Sequence, residues 1–208
     1  MLIIKQYGVK LKRLQLKDIE LVRYWRNQEH VVKNMEFKKQ ISSEEQLKWF
    51  QSINNPWNYY FMIEFEGKDI GVINVKNVDL NSDSGEGGIF IGDLTGNNSI
   101  AATLSSLCLL NFSFGVLKLT SKSIIKVLKF NKQAIEYNRI LGYKLVASEG
   151  DFQFYELSEE NYLNSSTDLN KAAAILSGKP ELIFDCKISS IPLSRPLKLK
   201  MGRPCFGF

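Results

Sequence analysis

The chain has 208 residues, 44% hydrophobic and 24% charged, an ordinary globular balance with length for one good-sized core and burial of roughly 70% of the unfolded surface. Its formal charge of +5, from 27 Lys and Arg against 22 Asp and Glu, describes a solvated, mildly basic surface with some pull on anionic ligands such as nucleotides, and gives no reason to expect nucleic acid as a partner. Cys108, Cys186 and Cys205 lack any CxxC or metal spacing and His30 is the single histidine, which argues against a zinc site, a disulfide framework and triad chemistry without His30; with no apolar run of about 18 residues and no leader at Met1, the expected compartment is the cytoplasm, without membrane.

In chain order, VKLKRLQ from Val9 to Gln15 alternates as a half-buried strand does. Asp18 is placed to cap a helix through IELVRYWRN to about Asn27. Ser42 with Glu45 forms a capping box ahead of Leu47, Phe50 and Ile53 on one helical face, and the helix should stop at Asn54-Asn55-Pro56. A hairpin follows: YYFMIEFE, a turn at Gly67-Lys68-Asp69, then IGVINVKNV. GEGGIFIG, Gly85 to Gly92, is a third strand.

The loop Asp93 to Asn98 leads into SIAATLSSLCLLNFSF, where Ile100, Leu104, Leu107, Cys108 and Phe112 mark a core-facing helix. SIIKVLKF is a strand, Lys132 to Leu141 a helix, and Tyr143 to Ala147 and Phe152 to Leu157 two closing strands. Beyond Glu159 the character changes. Thr167 is expected to cap a short helix through DLNKAAAIL ending at Gly178 and Pro180. The organisation expected is one domain over residues 1–158 and a C-terminal extension over 159–208, a short helix plus an irregular basic tail packed on the domain or on a partner chain. The element order points to an α/β (α+β) fold with a mixed sheet and helices on both faces.

That order and three local patterns resemble the GNAT superfamily of acetyl-CoA-dependent N-acetyltransferases, over about residues 9 to 157. VLKFNKQAI with Leu141-Gly142-Tyr143 is similar to the family's NxxAI element closed by LGF or LGY; Glu86-Gly87-Gly88-Ile89-Phe90 looks like its ExGI strand; the loop and helix that follow stand where acetyl-CoA's pyrophosphate would sit. Tyr24-Trp25-Arg26-Asn27, Met35, Ile41-Ser42 and Leu47 to Phe50 resemble enzymes that N-acetylate a nucleotide-linked 4-amino-4,6-dideoxy sugar in bacterial surface glycan pathways of the pseudaminic acid type; the WRN segment also occurs in the ribosomal-protein alanine N-acetyltransferases. The resemblance implies a mostly antiparallel central sheet, acetyl-CoA as cosubstrate, no metal, and a small nucleotide-linked amino sugar as acceptor. A homodimer is possible, with the C-terminal segment as a candidate contact.

Site residues follow from that resemblance. Backbone N–H groups of Ile89, Phe90 and Ile91 are expected to bind the thioester oxygen and the pantetheine arm, with Gly87 and Gly88 permitting a bulge and close approach. Glu86 is the proton acceptor for the amine, directly or through water, with His30 as a substitute. The pyrophosphate loop RxxGxA aligns with Gly96, Asn97, Asn98, Ser99, Ile100 and Ala101, which keeps the alanine but lacks the arginine and central glycine, so the helix N-terminus is left to bind the anion and weaker binding is expected. Asn131 is the motif asparagine. The thiol-protonating tyrosine expected seven residues later is replaced by Asn138, while Tyr137 stands one residue early, rotated by about 100° around the helix; either Asn138 or water serves the sulfur, or Tyr137 packs in the core and the acid is missing. Arg26, Asn27 and Met35 are substrate-side candidates, Arg26 suited to a diphosphate. The alternatives are a protein N-terminal N-acetyltransferase and a catalytically weak or inactive GNAT-fold binding module.

Overall fold

The computed structural model describes residues 1–95 and 98–186. Among these residues nine strands form one sheet in the order β7-β8-β6-β5-β4-β3-β2-β1-β9. Every neighbouring pair is antiparallel except β5 with β6.

The first hairpin joins β1 (Leu2–Gln6) to β2 (Val9–Arg13) through Tyr7-Gly8, and the second joins β3 (Tyr59–Phe65) to β4 (Lys68–Asp79) through Glu66-Gly67. Both turn residues have positive φ in each case, the two-residue geometry whose twist matches that of the flanking strands. The second turn therefore falls one residue before the Gly67-Lys68-Asp69 expected, and Lys68 already pairs with Phe65. β1 escapes the alternation rule because Leu2-Ile3-Ile4 reads as an unbroken apolar run, although only Leu2 and Ile4 are fully buried.

α1 (Ile19–Arg26), α2 (Glu29–Val32) and α3 (Ser43–Ile53) cover one sheet face. Their small core joins Ile19, Val22, Trp25 and Phe50 to Met62 and Val72 from the sheet. The Ser42–Glu45 capping box forms as expected. Two details differ: Leu47 is exposed while Gln46 takes the inward position beside Phe50, and the Asp18 carboxylate accepts from the Gln15 backbone N–H, closing a preceding short 3₁₀ turn instead of capping α1.

The main core lies on the other face, beneath α4 (Asn98–Leu110), α5 (Lys132–Ile140) and α6 (Glu159–Ser177). β5 (Ser84–Ile91) leads into α4 and β6 (Lys122–Leu128) into α5. α4 runs on through a π-helical segment over residues 111–117. Together they hold an uncharged 18-residue stretch, Ile100–Leu117, of mean hydropathy 1.8, contrary to the expectation that no such run exists. It is a core helix, packed on β1, β2, β4 and β5 with Ala101, Leu104, Leu107 and Cys108 buried.

After β7 (Lys144–Glu149) and β8 (Phe152–Ser158), the chain departs furthest from expectation. α6 starts eight residues before Thr167, capped by Ser158, whose hydroxyl accepts from Asn161 N–H, and ends at left-handed Gly178. Thr167 lies mid-helix with its hydroxyl donating back to the Leu163 carbonyl. The Asn- and Ser-rich first half of α6 has weak helix propensity, so packing decides. Tyr162, Ser166 and Ala173 are buried, and a polar network ties Tyr162 to Asn111 (2.8 Å) and Tyr7 to Asn170 (2.8 Å). β9 (Ile183–Cys186) then pairs with β1 as the sheet edge. Through residue 186 the extension is thus a helix and strand built onto the domain; the basic tail expected beyond lies outside the described residues.

Candidate active site

The β5–β6 ladder is short. It runs from Ser84↔Lys122 to Glu86↔Ile124 and stops, while β5 continues to Ile91 and β6 to Leu128. A cavity of about 420 Å³ occupies the place where the pairing would have continued, lined by Gly87–Ile91 of one strand and Ile125–Leu128 of the other. Residues from both sheet faces line it, so the sheet is open through its middle. Because side chains alternate along β5, Glu86 and Phe90 belong to the α1–α3 face, and Gly87, Ile89 and Ile91 to the α4–α6 face.

No bulge occurs at Gly87 or Gly88. The β4–β5 register is unbroken from Gly71↔Ile91 to Lys76↔Glu86, and the irregularity sits beyond it, between Lys76 and Asp79. Close approach is what the glycines serve: an added Cβ on Gly88 would stand 3.0 Å from Asn74 Oδ1, and one on Gly87 3.2 Å from Ser123 Oγ.

On the α1–α3 face, Glu86 is oriented by Lys76, 2.7 Å from Oε1, and by the Asn77 amide, which donates to Oε2 at 3.1 Å. Arg26 also lines the cavity. Its Nε is buried without a hydrogen-bond partner, and no carboxylate among the described residues pairs with it; burial pulls its pKa below the usual value, with Tyr60 opposing. Burial and then the charge of Glu86 push the Tyr60 phenol up to about 12, against Arg26. Met35 and Glu36 close this side, Glu36 pairing with Lys126 of β6 at 2.7 Å. Asn27 stands outside the cavity wall. Its amide both donates to the Ile41 carbonyl (2.9 Å) and accepts from Ile41 N–H (2.8 Å), so it pins the loop that carries Met35. His30 lines the wall with Nε2 3.2 Å from the Gly92 carbonyl. Trp25 lies so close on Gly92 that a Cβ there would come within 2.1 Å of its ring.

The α4–α6 face of the cavity offers hydroxyls where the other offers charges. Tyr137 Oη lies 2.6 Å from Ser106 Oγ and 3.1 Å from the Ala102 carbonyl. Tyr143 Oη lies 2.8 Å from Ser123 Oγ. Burial pushes the Tyr143 phenol up to about 12 and that of Tyr137 higher still, Tyr143 adding to the latter as a nearby group. Asn138 reaches the wall but its amide N–H₂ donates back to the Ala134 carbonyl at 2.7 Å. Asn131 caps α5, Oδ1 accepting from Ala134 N–H at 3.0 Å. Ala101 is fully buried and Ile100 partly so in the first turns of α4; Asn97 and the side chains of Asn98 and Ser99 lie outside the described residues.

Residues 9–144 match the acetyltransferase (GNAT) domain family. The chain belongs to that family and is an acetyltransferase. Similar solved structures include FdhC, a nucleotide-linked sugar GNAT in its apo form, with 20% identity, 79% of this chain and 94% of that one covered, and TM-score 0.68. The spermidine N-acetyltransferase of Vibrio cholerae in complex with CoA and spermine gives 20% identity, 76% and 99% coverage and TM-score 0.65. The N-acetyltransferase PseH of Campylobacter jejuni gives 19%, 76%, 97% and 0.53. At these identities the likeness is one of fold. No curated protein sequence matches the chain.

GNAT acetyltransferases take the acetyl group from acetyl-CoA, whose thioester supplies an activated carbonyl. This GNAT cavity fits such a group. The β5 edge beyond Glu86 leaves backbone donors without a strand partner, Gly87 and Gly88 clear space beside them, and Ile89 and Ile91 give an apolar wall. Several wall residues carry no motif: Tyr60, Lys76, Lys126, Ser106 and Ser123 enter through strand register and helix packing alone. Lys76 was reachable in principle, since it stands directly across from Glu86 as an opposite charge on the neighbouring strand. The hydroxyl of Tyr143 was visible as the aromatic closing the LGY element, but only its Ser123 partner and its place in the wall give it a chemical meaning.

Proposed function

We propose that this GNAT transfers the acetyl group of acetyl-CoA to the amine of a nucleotide-linked amino sugar, by direct attack of the neutral amine on the thioester. The observation that carries the reading is Arg26. Among the described residues the two cavity carboxylates are already neutralised, Glu86 by Lys76 and Glu36 by Lys126, which leaves in the wall one half-buried guanidinium, its Nε buried, lacking an acidic partner. A half-buried cation of this kind favours an acceptor bearing its own anion, and guanidinium matches a phosphate bidentately. The same arrangement disfavours a polyamine. A free peptide terminus fits less well, because Asn27 fixes the loop over this mouth.

In this reading Glu86, oriented by Lys76 and Asn77, accepts the amine proton directly or through water, and β5 backbone N–H groups hold the carbonyl oxygen. The test is CoA release from acetyl-CoA in the presence of UDP- and dTDP-linked 4-amino-4,6-dideoxy sugars, with spermidine and a panel of N-terminal peptides assayed in parallel. Turnover with a sugar nucleotide and baseline with the others is the expected result. Peptide turnover without sugar turnover would move the assignment to protein N-terminal acetylation.

A further inference from the structure

The two tyrosine–serine pairs of the cavity wall differ in what holds the phenol proton. Tyr137 donates to Ser106 Oγ and to the Ala102 carbonyl, so its proton is held by α4. Tyr143 and Ser123 carry two hydroxyl protons but share only the one bond between their oxygens, in which either can be the donor. One O–H of this pair is left without an acceptor among the described residues, although both residues are buried. A buried donor without a partner is costly, and this one sits in a cavity wall.

Its position is specific. Gly87 is the first β5 residue beyond the end of the β5–β6 ladder. A Cβ built on it would stand 3.2 Å from Ser123 Oγ and 3.5 Å from Tyr143 Oη. Glu86, the neighbouring residue, points to the opposite sheet face. A carboxylate and a spare hydroxyl proton thus flank the start of the opening from its two sides, where an incoming amine and a departing sulfur need them.

We propose that Tyr143 is a catalytic residue of the transfer, its hydroxyl donating to the thioester sulfur as the C–S bond breaks, with Ser123 as the positioning residue that donates to the Tyr143 oxygen. The proposal rests on the acetyl-CoA reading above. The amine nitrogen forms the new C–N bond, its surplus proton passes to Glu86 or to water beside it, and the C–S bonding pair leaves on sulfur. Tyr143 keeps its proton and hydrogen-bonds the thiolate, which is protonated by solvent on release. A phenol is the stronger donor of the pair, which is why the charge-facing role falls to Tyr143 and not to Ser123.

The experiment is a pH titration of thiolate absorbance for CoA bound to the full-length protein, together with steady-state kinetics. Tyr143→Phe is expected to raise the pKa of the bound thiol by about one unit and to lower kcat about 10- to 100-fold at an unchanged KM for acetyl-CoA. Ser123→Ala should move both in the same direction by less. A merely structural hydroxyl would alter stability without moving the thiol pKa, and Tyr162→Phe, which loses an equally buried hydroxyl outside the cavity wall, provides that comparison. An unchanged thiol pKa in Tyr143→Phe overturns the proposal, as does a larger shift in Tyr137→Phe. Absence of CoA binding by the wild-type protein in calorimetry would instead overturn the acetyl-CoA reading itself, and this proposal with it.

Discussion

β5 divides the cavity into two unlike chambers. On the α1–α3 side the wall is charged, with Arg26, Lys76 and Lys126 set against Glu86 and Glu36; on the α4–α6 side it is built from hydroxyls and aliphatic carbon, with Tyr137 and Tyr143 raised by burial. Adjacent residues of one strand serve both, because Glu86 and Gly87 point to opposite faces. The contrast teaches how a single strand separates an aqueous, charge-sorting pocket from a low-dielectric one while leaving a gap through which the two meet.

Glu86→Gln attacks the charged side at its centre. The amide keeps the shape but cannot accept a proton, so turnover should fall about 10²- to 10⁴-fold, while calorimetric affinity for acetyl-CoA stays within a few-fold because the other chamber is untouched. Equal losses in both would mean that β5 does not separate the two functions. Arg26→Gln should act next in size, raising the KM of an anionic acceptor about 10- to 100-fold, the range of a lost charge-assisted hydrogen bond, again without change in acetyl-CoA affinity. Improved use of spermidine by this variant would sharpen the charge argument.

Asn27→Ala tests the same side from outside it. Two hydrogen bonds to Ile41 are lost, worth about 1 kcal/mol each, and a chain of this size should lose a few degrees of Tm for each. The loop bearing Met35 would loosen, raising acceptor KM by a few-fold at most. A larger effect on kcat than on stability would give Asn27 a direct part in the chemistry, as its place in the WRN segment suggests.

The charged chamber was more legible in the sequence than the hydroxyl one, and for a physical reason. Glu86 and Arg26 lie in motifs, and local rules place the elements around them: the Ser42–Glu45 capping box, the start of α5 at Lys132 and the strand from Gly85 all form within a residue or so of where pattern puts them. Ser106 and Ser123 become wall residues only through the packing of α4 on the sheet and the β6–β8 register. Serine in a helix or strand carries no such signal on its own. Nor does the Asn- and Ser-rich start of α6, which is helical because Tyr162 and Ser166 find buried partners. The displaced Tyr137 is the instructive case. Its one-residue shift takes the hydroxyl to α4, where Ser106 and Ala102 hold it, and a spacing rule detects that displacement without saying where the hydroxyl goes.

The smallest expected effect bears most directly on whether the chambers are electrically separate. Tyr60 and Tyr143 are both raised from 10.0 to about 12. In each, the folded protein retains the phenol proton between pH 10 and 12 while the unfolded chain has lost it, so the unfolded state binds fewer protons and stability falls as pH rises through this window, by about 1.4 kcal/mol per pH unit for each tyrosine. Below pH 10 the contribution is fully present. The causes differ: burial leads for both, but the charge of Glu86 adds to the Tyr60 shift and has no part in that of Tyr143. Glu86→Gln should therefore lower the titration midpoint of Tyr60 measurably in NMR of ring-labelled tyrosine and leave Tyr143 in place. Movement of both midpoints together would mean that the field of Glu86 crosses the strand, and the hydroxyl side would then have to be treated as part of one continuous polar site.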